Sequence, residues 1–190
     1  MRTTGQVHSQ SVMLIVQPSR KGICKRTAMR IFITGLSGSG KTTLANRIAK
    51  RTGLPVIHLD DVQAAFPEEC YAPAVLAAMQ EPEWIIEGLP GRMMSPLCNR
   101  ATLVLLLDIP PMRCRFRIIK RVVSRFFSKP EKVSDAKQHP PIRIANFPSF
   151  VKYLKSICLQ GDFSDLPVHK TVAFQTNRQL REFLLQKGWC

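Results

Sequence analysis

Short apolar runs alternate with segments of helical periodicity from Met29 to the end of the chain. Met29–Arg30–Ile31–Phe32–Ile33–Thr34 is a mostly apolar stretch of strand length, and Thr42 to Thr52 reads as the helix after it. Gly53 ends that helix, and Leu54 to Leu59 forms a second strand. Ala74 to Gln80 carries a weak helical pattern. Glu83 to Ile86 is a third strand, introduced by Pro82. Thr102 to Leu107 is a continuous apolar run, the signature of a strand buried on both faces. Met112 to Phe127 places Phe116, Ile119, Val123 and Phe126 or Phe127 at helical spacing, with arginines between them. Lys129 to Pro141 has proline and charge without period and reads as a loop, and Phe150 to Leu159 as a short helix. Val168 to Phe174 is a fifth strand. Thr176 with Gln179 forms a capping box for a helix from Asn177 to Gln186, stopped at Gly188. Strands alternating with helices predict an α/β fold, a parallel sheet covered by helices.

The turn between the first strand and its helix is Gly35–Leu36–Ser37–Gly38–Ser39–Gly40–Lys41–Thr42, followed by Thr43. Strand, glycine-rich turn and helix N-terminus together form the context in which backbone N–H groups cradle phosphates. Lys41 is placed to reach the β- and γ-phosphates of a nucleotide, and the Thr42 hydroxyl to join the shell of a magnesium ion. An ordinary Gly/Ser turn is the bland alternative, and eight positions with both flanks argue against it.

The rest of a phosphoryl-transfer site is expected at the strand ends. Asp60 and Asp61 close the second strand. Asp60 is read as positioning or deprotonating an acceptor, and Asp61 as a helix cap. Glu87 and Gly88 close the third strand, and Arg92 follows as a candidate grip on an acceptor. Asp108 closes the fourth, either as a magnesium partner or as a cap on the following helix. Arg113, Arg117 and Arg121 share one helical face, suited to neutralising a triphosphate, whereas Arg115 and Arg125 are read as solvated. His58, flanked by apolar residues, reads as a packed histidine. Met93, Met94, Phe147 and Phe150 read as core or lid packing.

Composition adjusts this picture in two places. A chain of 190 residues is of single-domain size, and no run of about 18 apolar residues suggests a membrane span. The six cysteines form no C-x-x-C pair, which fits a reduced, cytoplasmic protein, with Cys114 and Cys158 as small buried hydrophobes. Net charge is +15, and residues 1–59 hold ten Lys or Arg and no acid. Anionic partners follow: nucleotides, or nucleic acid phosphates. Residues 1–28 are basic and carry no strand or helix pattern, so they read as an extension, either a disordered tail or a mis-assigned start, ahead of a domain spanning 29–190.

The ordered motifs G-L-S-G-S-G-K-T-T-L-A, L-P-V-I-H-L-D, W-I-I-E-G and L-V-L-L-L-D-I-P with R-x-R-x-R-I-I-K-R resemble the adenylate-kinase-like P-loop proteins of the DNA-topology-modulation (FlaR-like) family. The resemblance covers about residues 29–186. It implies a P-loop NTPase three-layer sandwich of nucleoside-monophosphate-kinase type, with a five-stranded parallel sheet in the order 2-3-1-4-5. It also implies a lid after the fourth strand, about residues 112–141, with ATP as phosphate donor and Mg2+ as its metal. By motif position, Asp60 and Arg92 would face the acceptor, and Arg113, Arg117 and Arg121 would belong to the lid. Two departures, Pro67–Glu68–Glu69 with its alanines and the Pro90–Gly91 insertion before Arg92, lie where an acceptor would bind.

Overall fold

β1 (Arg30–Gly35) runs through the middle of the molecule, and Ile31, Phe32 and Ile33 have no exposed surface at all. The computed structural model describes residues 28–127 and 163–189, without the side chains of 122, 123 and 125–127. In chain order the elements are β1, α1 (Lys41–Thr52), β2 (Val56–His58), α2 (Leu59–Ala65), α3 (Glu68–Ala78), β3 (Trp84–Glu87), α4 (Met94–Arg100), β4 (Leu103–Leu107), α5 (Pro111–Phe127), β5 (Thr171–Phe174) and α6 (Asn177–Gln186). The sheet order is β2-β3-β1-β4-β5, every pair parallel, with Ile33 opposite Glu87 and Gly35 opposite Leu107.

The two-residue period of a strand divides the core. Ile31 and Ile33 pack into a cluster with Leu44, Ile48, Leu105, Leu184 and Trp189, on the α1 and α6 face. Phe32 points the other way, into a cluster with Ile57, Val75, Trp84, Ile86 and Leu97, under α2, α3 and α4. Residues buried on both faces are what parallel crossovers require, and all four residues of β3 are buried.

Three expectations are corrected, and one helix, α4, was not expected. β2 is shorter than Leu54 to Leu59, because Leu59 turns straight into α2; Asp60 and Asp61 thus lie in the first turn of that helix and not on the strand. The weak helix at Ala74 to Gln80 is instead α3, which begins at Glu68 and contains Pro73. α4 carries Pro96 near its start, where a missing N–H costs nothing. The expected fifth strand is split: Val168–Lys170 is a 3-10 turn with Val168 89% exposed, and only Thr171–Phe174 joins the sheet.

The capping box forms as expected, the Thr176 hydroxyl accepting from Gln179 N at 3.3 Å and Gln179 Oε1 accepting from Thr176 N at 3.1 Å. Trp189 N donates back to Leu184 O at 2.8 Å past Gly188, and the Trp189 ring is buried. The expected helix at Phe150 to Leu159, residues 128–141 of the expected lid, the basic extension through residue 27, and Phe147, Phe150 and Cys158 lie outside the described residues. Among the described residues no helix is long and apolar enough to cross a membrane.

Candidate active site

α1 opens without a side-chain cap and without an acid in its first turn. Its first amides face outward at the positive end of the helix, where an anion is stabilised. Gly40, at φ 108, is the N-cap, and Leu44 N donates to Gly40 O at 3.0 Å. The loop is braced from within by Ser39 N, which donates to Leu36 O at 3.1 Å. The Ser39 hydroxyl is buried and has no partner, an orphan donor inside the loop of the kind a ligand oxygen satisfies.

Gly38 shows why the loop takes this shape. Its φ is +81, and a Cβ there would meet Cys114 O at 2.7 Å and Ile118 Cγ1 at 2.9 Å. The first turns of α5 therefore rest directly on the loop. From α5, Arg117 Nη1 donates to Ser39 O at 3.0 Å and to Gly38 O at 3.5 Å. Arg121 lies close enough for its charge to depress the Lys41 ammonium. Arg113 and Arg115 are exposed.

Lys41 Nζ donates to Gly35 O at 3.0 Å and Leu36 O at 3.1 Å. Burial holds its pKa below the ordinary value, with Glu87 and Asp60 pulling the other way. Beneath it, Thr42 Oγ1 donates to Glu87 Oε1 at 3.0 Å. The same carboxylate oxygen accepts from His58 Nδ1 at 2.8 Å. A carboxylate only accepts, so both hydrogens come from its partners. The hydrogen bond to Glu87 raises the His58 pKa, against the lowering effect of burial, with Asp61 and Asp60 adding to the rise.

Glu87 is 4% exposed, one of three buried polar residues named in the described core. The sheet register places it: His58 stands opposite Glu87 across β2 and β3, and Ile33 opposite it across β1. Gly88 then leaves the strand at φ +141, where a Cβ would meet Leu59 Cβ at 2.8 Å. The turn after β3 is thereby pressed against the start of α2, which carries Asp60. Burial, and after it the charge of Asp60, pushes up the pKa of Tyr71 on α3.

The expected site is brought together only in part. Lys41, Thr42, Glu87, Asp60, Arg117 and Arg121 converge on the loop. Asp108 is exposed after β4, and its Oδ2 accepts from Gln175 Nε2 at 3.1 Å, on the side away from β1. Nor does it cap α5, whose first amides, Arg113 N and Cys114 N, donate to Pro110 O. The carboxylate that meets Thr42 is Glu87, read from sequence as an acceptor residue. Arg92 is exposed on a 3-10 turn, Gly91–Met93. His58, read as a packed histidine, is tied to the site. No residue pattern around it signals this; the β2–β3 register sets it opposite Glu87.

Beside the loop, a groove of about 1180 Å³ runs between α1, α5 and α6. Arg47, Lys50, Arg51, Arg117, Arg121 and Arg181 line it, with Leu44, Leu107 and Leu180 among its apolar residues and no carboxylate. A cation-lined groove next to an open helix N-terminus favours an anion.

The donor atoms also fit magnesium. Among the described residues no group of three His, Cys, Asp or Glu gathers to hold a metal. Magnesium in phosphoryl-transfer sites takes one or two protein oxygens, and phosphates and water supply the rest. Thr42 sends its proton to Glu87, which leaves its oxygen lone pairs for a cation.

A family model described as isopentenyl transferase matches residues 29–69, the stretch from β1 to the first turn of α3. No curated protein matches the chain by sequence. Solved structures resemble it more widely. A candidate kinase from Chloroflexus aurantiacus is 18% identical, with a TM-score of 0.49, over 85% of this chain and 98% of that one. A gluconokinase from Sinorhizobium meliloti is 18% identical, with a TM-score of 0.48, over 85% and 90%. A shikimate kinase from Bacteroides thetaiotaomicron is 17% identical, with a TM-score of 0.44, over 84% and 95%. These likenesses add nothing to the topology already described. The strand order and the loop after β1 give the chain the P-loop NTPase fold.

Proposed function

We propose that this chain is an ATP- and magnesium-dependent phosphotransferase acting on a small acceptor. The observation that carries this reading is the Thr42–Glu87 hydrogen bond beside Lys41, at the mouth of an uncapped helix. The loop amides hold the triphosphate, and the α1–α5–α6 groove takes the nucleoside end. Thr42 and Glu87 would hold magnesium, which when bound neutralises charge on the β- and γ-phosphates. Lys41 leaves the Gly35 and Leu36 carbonyls for the phosphates, and Arg117 and Arg121 stabilise the transferring group. Asp60 accepts the proton of the acceptor hydroxyl as its oxygen bonds to the γ-phosphorus, and the bond to the β–γ bridging oxygen breaks to release ADP. α5, the described part of the expected lid, carries both arginines.

The ordered motifs support a place in the DNA-topology-modulation group, and the cation-lined groove supports nucleic acid as an alternative partner. The matched family model supports a second reading, transfer of an isopentenyl group, which also needs phosphates gripped at the loop. Calorimetry with MgATP on the full chain, followed by product analysis, tests these together. Heat of binding and acceptor-stimulated ADP formation are expected. Diphosphate release from an isopentenyl donor favours the second reading, and no MgATP binding at all removes the first.

A further inference from the structure

Glu87 meets Thr42 and His58 through a single oxygen. Thr42 Oγ1 donates to Oε1 at 3.0 Å from the start of α1, and His58 Nδ1 donates to the same atom at 2.8 Å from the end of β2. Both bonds fall on Oε1 and neither on Oε2. The donors come from different elements, so the carboxylate is held from two directions and cannot turn without breaking a bond. In a site where Glu87 is 4% exposed, water is a poor substitute for either donor. The anchor at His58 is built into the sheet, because the β2–β3 register sets the last residues of the two strands opposite each other.

Lys41 competes for the same carboxylate. Its ammonium feels the charge of Glu87 before that of Asp60, yet its hydrogen bonds go to Gly35 O and Leu36 O. A Glu87 side chain free to rotate would close on that ammonium, since unlike charges attract strongly where water is scarce. Such a pair would draw Lys41 from the phosphates and Glu87 from Thr42. Donation by His58 opposes it, and needs only a hydrogen on Nδ1, which the neutral ring carries in one tautomer and the charged ring always.

We propose that His58 is a positioning residue for the metal side of the site: by anchoring Oε1 of Glu87 it keeps this carboxylate on Thr42 and off Lys41, and so sets the affinity for magnesium with the nucleotide. The inference rests on the phosphotransferase reading and adds to it a residue that acts through Glu87. A hydrogen-bonding partner behind a metal-site carboxylate contributes about 10- to 100-fold in metal affinity.

Calorimetry on the full chain tests it, with ATP titrated in excess magnesium and again in EDTA. The ratio of the two dissociation constants measures what the metal adds. His58→Leu and His58→Asn have side chains of nearly one shape, and only asparagine offers a donor where Nδ1 stands. The leucine variant should lose about tenfold or more of the parent's ratio, and the asparagine variant should stay within about twofold of it. A role in packing alone would weaken ATP equally in both buffers, so a leucine variant with the parent's ratio overturns the inference. An asparagine variant that loses about tenfold overturns it too, and this arm decides the matter if leucine prevents folding. A parent that binds ATP no better with magnesium than without removes the metal role of Thr42 and Glu87, and the inference with it. A parent that binds ATP in neither buffer removes the phosphotransferase reading beneath them.

Discussion

Glu87 accepts two hydrogens on one oxygen, from Thr42 and from His58, and so fixes the rotamers of both. Lys41 stands over this pair in a site that penalises its charge. Its removal therefore takes away a poorly solvated ammonium as well as two bonds to carbonyls. Lys41→Ala is expected to lower ATP turnover by at least about 10³-fold, with a thermal midpoint close to that of the parent. Full turnover in that variant would refute the proposed role. His58 gives a pH signature. Its folded pKa is raised, so the stability it contributes is complete below its unfolded value of about 6.5 and is lost as pH climbs through the folded value. Melting of the metal-free protein between pH 5 and 9 should show this loss, and His58→Asn should flatten it. Nothing in the letters around His58 marks it as different from a packed histidine. Only the β2–β3 register, which opposes it to Glu87, reveals the bond.

Elements whose sequence carries a single physical signal form as the pattern predicts. β1 is a mostly apolar run and β4 a continuous one, and the Thr176–Gln179 box sits one residue from an apolar face. Thr176→Ala should cost about 1 kcal/mol in urea denaturation, the usual penalty for a lost N-cap. α2, α3 and α4 are where the pattern misleads. Pro67, Pro73 and Pro96 break the periodicity, and the alanines of α3 fit a helix on either face; Ala74, Val75 and Ala78 settle its burial only once Phe32 and Trp84 are beneath them. Asp60 was misplaced for a related reason, since strand ends read from sequence shift by a residue or two, whereas Asp108 follows β4 as expected and turns to Gln175. α5 is held to the loop at Gly38. Gly38→Ala strains a positive φ and drives a methyl against Cys114 O, so it should weaken MgATP binding by more than about tenfold in calorimetry. A Gly38→Ala variant that binds MgATP like the parent would show that α5 does not shape the loop.

For the whole molecule, the sheet separates more than two cores. β2 and β3 lie on one side of β1, where they end at His58 and Glu87, and β4 and β5 on the other, next to the cationic groove. The fold class and the loop were legible because strands alternate with helices and the loop works through backbone, whereas the strand order was implied only by the resemblance of the ordered motifs. The anchor at His58 was not legible, because it depends on which strand ends the fold sets side by side. The groove predicts that MgATP affinity falls as salt rises from 20 to 300 mM, by several-fold, roughly as expected when exposed cations are screened; a salt-independent dissociation constant would place the nucleotide elsewhere. The partition of the interior has one further practical outcome. The chain's two tryptophans fall in different layers, Trp84 among the side chains under α2 to α4 and Trp189 in the cluster shared by α1 and α6. With either indole replaced by phenylalanine, intrinsic fluorescence becomes a private optical reporter for one face of the sheet, able to tell whether nucleotide and acceptor are sensed on opposite sides.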